Sequence, residues 1–427
     1  MRFLILLVIT FWSILTNAQD LHYVKSTIDV LTNEGMHGRG YVNEGHKIAA
    51  NYIASEFEQF GLQSFRKDYL QQFVINVNTF PGKMSLKLGK QKLTPGEDFL
   101  VHPSSPGING SYKTLHLQID SLLANTTDWV KRIKNAQEVI VLDNFGYNDL
   151  SGEDKQVIDG LKEVLQFNKE LLTPAVVILT DEKLTWGTSQ VVGVRPIFQV
   201  RKSVVSNSGW TKAKFNVQND WLKEETSQNV IGLIPGVRSD SVIMIIAHYD
   251  HLGRMGNRTY FPGANDNASG TAMMLNLARE LPLGDKPKFG ILFVAFSGEE
   301  AGLVGSQYYV NRPVYPLNRV KFLINLDLVG TGDDGITVVN GSVHKKQFEL
   351  LKKINNEKGL LPQIKSRGEA CNSDHCPFHN QGVPGFFIYT LGGIQAYHDI
   401  YDRSETLPLT EFEDLTTLIK EFIKSIN

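Results

Sequence analysis

The sequence predicts an α/β protein: a mixed, mostly parallel sheet flanked by helices, with a smaller β-rich domain inserted into it. Three observations carry this. From about Asn229 onward, apolar runs of strand length alternate with amphipathic helical stretches, the pattern of a sheet covered on both faces. Between about residues 75 and 215 that rhythm gives way to short strand-like runs separated by turn-rich loops. Ahead of that change, "EGHKIAANYIASEFEQFGL" places Ile48, Ala49, Tyr52, Ile53, Phe57 and Phe60 at helical spacing, with Gly61 positioned to end the helix.

The elements follow in order. Arg2, the apolar run Phe3–Leu15 and the small-residue ending at Ala18 have the form of a secretory signal, cleaved so that the chain begins near Gln19. The apolar run is shorter than the roughly 20 residues a spanning helix needs. The expected destination is therefore the periplasm or the medium, with no stable membrane association after cleavage. A glycine-rich loop, "GMHGRGY", precedes the first helix. In the central stretch, "VIVL", "AVVIL" and "PIFQV" read as strands, and residues 153–169 as one helix. The expected organisation is a signal over 1–18, a discontinuous main domain over 19–74 and 216–427, and an insertion over 75–215.

Beyond the insertion, "SVIMIIA" leads to the helix "NASGTAMMLNLAREL", and "FGILFVAF" leads to "GLVGSQYYVN". "VKFLINLDLVG" leads through "GITVVNG" to "HKKQFELLKKINN". "GFFIYT" is followed by the last helix, "TEFEDLTTLIKEFIKSI". In such sheets ligands bind beyond the carboxyl ends of the strands.

Composition narrows the function classes. The 427 residues are 42% hydrophobic and 21% charged, ordinary globular values for two or three domains. Lys and Arg number 43 against 45 Asp and Glu, which gives no basic excess for nucleic acid. The two cysteines, Cys371 and Cys376, are too few to complete a zinc shell and close enough to staple a loop. Oligomeric state is not written in the pattern.

The chemistry lies at the strand ends. His248 and Asp250 follow the first strand in "AHYDHLG". Asp266 stands before a helix in "GANDNASG". Glu299 and Glu300 follow "FVAFSG", Asp327 closes "INLDLVG", and His398 lies in "AYHDIYD". Singly, each has a plain explanation: a surface imidazole, a helix cap, a solvated acidic pair. Asp327, inside an apolar strand, is harder to explain that way, because an unpaired buried carboxylate is costly. Together at one sheet edge they form a mixed nitrogen and oxygen set that suits zinc, with manganese or cobalt as alternatives. Two metals about 3.5–4 Å apart need a bridging carboxylate. Asp266 is the natural bridge. His248 and Asp327 would complete one shell, Glu300 and His398 the other. Asp250 can accept the second ring N–H of His248. Glu299 is left to take the proton from a metal-activated water.

These segments, with "FSGEEAGLVGSQYY" and "YHDIYD", resemble the motifs of exported two-zinc aminopeptidases, the group of the bacterial leucyl aminopeptidases and, more distantly, glutamate carboxypeptidase. The resemblance runs from Asn229 to about Pro408, and the "GRGY…AANYIASEF" segment is similar to their amino-terminal helix. It implies their zinc aminopeptidase sandwich fold and two zinc ions per chain. The metal ligands would be His248, Asp266, Glu300, Asp327 and His398, with Glu299 as general base. The substrate would be a peptide or protein with a free amino terminus. Residues 75–215 resemble, by position and length, the inserted protease-associated domain of many members.

Two rival readings use the same residues. Glutaminyl cyclases share the fold but work with one zinc and transfer an amine; "GANDNASG", "GLVGS" and Tyr397 before His398 favour hydrolysis. A non-catalytic, receptor-like relative would be expected to lose ligands, and none is missing. Asp374 and His375 in "CNSDHCPF" are further pocket candidates.

Overall fold

The structure is a computed structural model, and it describes residues 21–66, 68–144, 146–205 and 210–426. The signal over 1–18 lies outside the described residues. A helix over 21–32, which the sequence pattern did not single out, precedes α1, Gly45–Gln59. Eight strands form the first sheet: β1 Leu70–Thr79, β2 Asp220–Ile234, β3 Arg238–His248, β4 Phe289–Phe296, β5 Val320–Leu326, β6 Ile336–Val339, β7 Ile364–Ser366 and β8 Gly385–Thr390. Four longer helices follow in this part, α2 Gly270–Glu280, α3 Val304–Asn311, α4 Lys345–Lys358 and α5 Phe412–Ile426, with a short one at His375–Asn380.

The strand order is β1-β2-β4-β3-β5-β8-β6-β7. The central four, β4, β3, β5 and β8, are mutually parallel. They are the most apolar: every residue of β4 is buried, as are the last eight of β3. Alternation sorts their side chains to two faces. Ile243, Ile245, Ala247, Phe293 and Ile324 face α1, α2, α4 and α5. Val242, Met244, Ile246, Leu292 and Val294 face α3 and the short helix His375–Asn380. Truncating a fully buried ring such as Phe293 to alanine would cost about 3–5 kcal/mol.

From β3 the chain crosses to β4 on one side, then returns to β5 on the other. That change of direction opens a crevice at the carboxyl ends of these strands.

A second eight-stranded sheet lies between β1 and β2 in sequence. Its strands all come from Met84–Val217. Its centre is a parallel run, Ile108–Gln118, Val139–Asp143, Val176–Thr180 and Ile197–Arg201. Three helices accompany it, Ile119–Ala124, Thr126–Lys134 and Gly152–Phe167. This segment is therefore mixed α/β, not simply β-rich: the first two helices are short, and Thr126–Lys134 is too highly charged to show a long apolar period. β1 and β2 pair from Leu70↔Val230 to Thr79↔Asp220, so residue 75 belongs to the first sheet. The alternating burial of β1 resembles the strands that follow it, which hides the change of sheet from the sequence.

Candidate metal centre

All seven strand-end residues converge beyond the carboxyl ends of β3, β4, β5 and β8. They line or underlie a cleft of ≈ 510 Å³ whose walls include Leu303, Leu328, Phe387, Tyr389 and Tyr397. The cleft floor is built around Asp266. Its Oδ1 lies 3.4 Å from His248 Nε2, and its Oδ2 lies 3.0 Å from His398 Nε2. Asp327 Oδ1 is 3.3 Å from the same His248 nitrogen. Glu300 Oε2 is 3.2 Å from the same His398 nitrogen. One carboxylate thus offers one oxygen to each of two clusters. Glu299 joins the first: one ligand atom each from His248, Glu299 and Asp327 lies within 4.8 Å of the others.

Asp266 owes its position to its neighbours. Asp402 is fully buried and accepts the backbone N–H groups of Asn265 (2.8 Å) and Asp266 (3.0 Å). Asn267 ties the turn to β5 by donating to Leu326 O and accepting from Leu328 N. Arg39 is fully buried and donates to Tyr249 O, Leu31 O, Pro262 O, Gly263 O and Asp266 O. Its flanking glycines allow the approach. A Cβ on Gly38 would meet Gly253 O and Phe261 O at 2.6 Å, and one on Gly40 would meet Gly253 Cα at 2.4 Å.

Both imidazoles present Nε2 to the cleft for the same reason. His248 Nδ1 donates to the backbone carbonyl of Asp250 (3.1 Å), and His398 Nδ1 donates to that of Trp186 (2.9 Å). A carbonyl can only accept, so each Nδ1 carries the proton and each Nε2 faces the carboxylates. This corrects the expectation for Asp250. Its Oδ1 stands 3.9 Å from His248 Nδ1 and accepts the Glu299 N–H at 3.2 Å instead. The strand end turns so that the Asp250 carbonyl reaches the ring, while the carboxylate anchors the turn bearing Glu299 and Glu300.

His251 was not expected. It is fully buried, and its Nδ1 lies 2.7 Å from Glu300 Oε1. Its ligand atom also groups with those of Asp266 and Glu300 within 4.8 Å. Its signal was present in "AHYDHLG", three residues after His248. Asp374 is fully buried beneath the first cluster, where burial pushes its carboxyl up to about 7. His375 points away, to Ala370 O at 2.7 Å. Cys371 and Cys376 are joined by a disulfide, and Cys371 lines the cleft.

The electrostatics ask for cations. Burial pushes the Glu299 and Glu300 carboxyls well above their usual range. Burial opposes charge on His398, yet Glu300 and Asp266 hold it up at about 9. Burial likewise opposes charge on His248, but Asp327 and its neighbours keep it well above the normal imidazole range. Each Nε2 proton is therefore held between carboxylate oxygens, where a metal ion would satisfy the same field. The donor set, imidazole nitrogens and carboxylate oxygens around one two-sided aspartate, fits a pair of divalent ions.

Residues 229–423 match the model of peptidase family M28. The match places this segment, a little under half of the chain, as similar to that family. It is 32% identical over 237 residues to aminopeptidase YwaD of Bacillus subtilis, covering 52% of this chain and 47% of that protein. It is 33% identical over 178 residues to leupeptin-inactivating enzyme 1 of Streptomyces exfoliatus, covering 40% and 39%. The chain thus spans about half the length, or less, of these curated relatives. In fold, the chain is similar to a zinc aminopeptidase from Bacillus subtilis, with a TM-score of 0.69 at 21% identity over 95% of this chain and 94% of the other. It is also similar to an aminopeptidase from Aneurinibacillus sp. strain AM-1, with a TM-score of 0.60 at 22% identity over 94% and 92%.

Proposed function

We propose that the protein is an exported zinc-dependent exopeptidase that removes residues from free peptide amino termini. The observation that carries this reading is Asp266, whose two oxygens face His248 and His398 separately. The residues that would hold the ions are His248, Asp266 and Asp327 on one side and Asp266, Glu300 and His398 on the other, two zinc ions per chain. When bound, zinc acidifies water and polarises the scissile carbonyl.

The chain's own residues do the rest. Glu299, lining the cleft and raised by burial, takes the proton of the attacking water and delivers it to the leaving amine. Asp250 holds the Glu299 backbone, so the base is set by the sheet and not by a loose loop. Arg39 and Asp402 fix the Asp266 turn. The acidic floor favours a substrate that brings a positive charge, which a free amino terminus does. The names of the relatives, aminopeptidases in their own right, support the same reading. No helix among the described residues is long and apolar enough to cross a membrane. Export itself rests on the Arg2–Ala18 pattern, and the second sheet is proposed to be a protease-associated-like insertion that touches the loops carrying Glu300 and His398.

The test is a panel of aminoacyl chromogenic substrates beside their amino-terminally acetylated copies, with zinc-loaded protein. The free-amine compounds should be cleaved and the acetylated ones left intact. Comparable cleavage of both sets would reject the aminopeptidase reading. Amine transfer from amino-terminal glutamine with no hydrolysis would instead support a cyclase.

A further inference from the structure

Among the described residues, the insertion supplies none of the lining residues of the cleft, yet it reaches the loops that carry two of them. Its segment 183–190 is stitched to the two loops that carry Glu300 and His398. Trp186 donates its backbone N–H to His398 O at 2.9 Å and accepts His398 Nδ1–H on its own carbonyl at 2.9 Å. Lys183 Nζ reaches Gln395 O (2.7 Å), Tyr397 O (3.0 Å) and Asp399 Oδ2 (2.8 Å), bracketing His398. Thr188 Oγ1 donates to Glu300 O at 2.6 Å, and Gln190 Nε2 donates to Ala301 O at 2.6 Å.

The segment is itself anchored. The Trp186 ring stacks on Phe261 with centroids 4.6 Å apart, and its Nε1–H donates to Val101 O at 2.7 Å. Ser189 O accepts from Asn78 N in β1 at 2.9 Å.

The other cluster stands on different supports. His248 is the last residue of β3, and its ring is held by Asp250 of the same strand end. Asp327 follows β5 directly and accepts from Ser373 Oγ at 2.9 Å. Among the described residues, no hydrogen bond or ion pair ties segment 183–190 to His248 or Asp327. His398 needs outside support, because its φ of +53° lies in the left-handed region, which a side-chain-bearing residue keeps only where its surroundings over-determine it.

We propose that segment 183–190 is a positioning element for one metal site only, the one formed by Asp266, Glu300 and His398. Trp186 sets the ring nitrogen that faces the ion. Lys183 and Thr188 hold the two ligand-bearing loops at the spacing the ion needs. The insertion thereby makes the two sites unequal: one rests on the sheet, the other is completed from outside it. This rests on the two-zinc reading above.

The test uses the full chain, stripped of metal with a chelator and titrated with zinc against a competing chelator of known affinity. Lys183→Met with Thr188→Val removes the ammonium and the hydroxyl while keeping bulk. Groups that orient metal ligands typically change affinity about 10–100-fold, so one of two zinc equivalents should weaken by that much. The other equivalent shares only Asp266, whose turn is held by Arg39 and Asp402 and not by segment 183–190, so it should stay within about twofold. His248→Ala and His398→Ala variants assign the equivalents: the sensitive one must vanish in His398→Ala. Lys183→Arg with Thr188→Ser should restore binding, which a merely space-filling role would not require. Equal weakening of both equivalents, or of neither, overturns the proposal. Thr188→Val alone, which changes one hydroxyl, guards against a folding defect in the double variant and should show the same selectivity more weakly. If wild-type protein takes up no zinc or only one ion, it is the two-zinc reading that fails.

Discussion

Replacing Arg39 by lysine keeps the positive charge and removes the fork. Arg39 is fully buried and satisfies five backbone carbonyls spread over three segments, at Leu31, Tyr249 and Pro262–Asp266. An ammonium has three donors on one atom. At least two of those carbonyls would lose this donor, and because Gly263 O also accepts the Ala268 N–H, at least one would be left with no partner in the interior. A buried acceptor left without a donor costs about 1–3 kcal/mol, so Arg39→Lys should destabilise the fold by about 1–6 kcal/mol, for one or two such acceptors. That is a large fraction of the roughly 5–15 kcal/mol that holds most proteins folded. Urea unfolding of the metal-stripped protein measures it. The midpoint should fall with the slope unchanged, because the surface exposed on unfolding is the same. A loss under about 0.5 kcal/mol, typical of a neutral surface change, would refute the view that Arg39 pins the Asp266 turn.

Three further outcomes are expected. His375 is buried and its imidazole is pushed down to about 4 by burial, so only the unfolded chain gains its proton between about pH 6.5 and 4. Stability should therefore be lost as pH falls through that window, and His375→Gln should flatten the dependence by up to about 1.4 kcal/mol per pH unit; an unchanged slope in urea titrations at several pH values would contradict this. Replacing both Cys371 and Cys376 by serine opens a short loop and should cost about 2 kcal/mol, at the lower end for a disulfide; an unchanged midpoint under oxidising conditions would show that the link adds nothing. Intact mass of protein from its native host should show a chain starting near Gln19, and a retained segment from Met1 would contradict export by cleavage.

What was legible in the sequence was what the sheet dictates. The buried strands announced themselves as apolar runs, and the polar residues interrupting their carboxyl ends were conspicuous for that reason. His248, Asp266, Glu299, Glu300, Asp327 and His398 all lie where that reasoning places them. The groups that went unnoticed act through backbone carbonyls and amides. Arg39 binds five carbonyls, Asp402 accepts from two amides, and Trp186 holds the His398 ring with its own carbonyl, so each contact uses main-chain atoms that no residue type announces. The Asp250 role failed for the same cause: a main-chain oxygen, invisible in a pattern of side chains, reached the imidazole first. His251 was overlooked because one histidine at that strand end already had a role. In the inserted segment the helix Gly152–Phe167 was legible, whereas Ile119–Ala124 and Thr126–Lys134 were hidden by brevity and charge, which leave little periodic signal.

The neighbours Glu299 and Glu300 give the most direct test of the account. Glu300 faces His398 from 3.2 Å, as a metal ligand should, whereas Glu299, which stands beside His248 and Asp327, is assigned the proton and not a metal. Metal content and turnover should be measured together for Glu299→Gln and Glu300→Gln. Glu299→Gln should keep its zinc and lose about 10²–10⁴-fold in turnover, the usual contribution of a general base, with little change in substrate binding. Glu300→Gln should lose one zinc and recover part of its activity in excess metal. If Glu299→Gln lost the metal while Glu300→Gln stayed loaded, the roles would be reversed. If neither change altered turnover, the two-metal hydrolytic mechanism would be wrong for this protein.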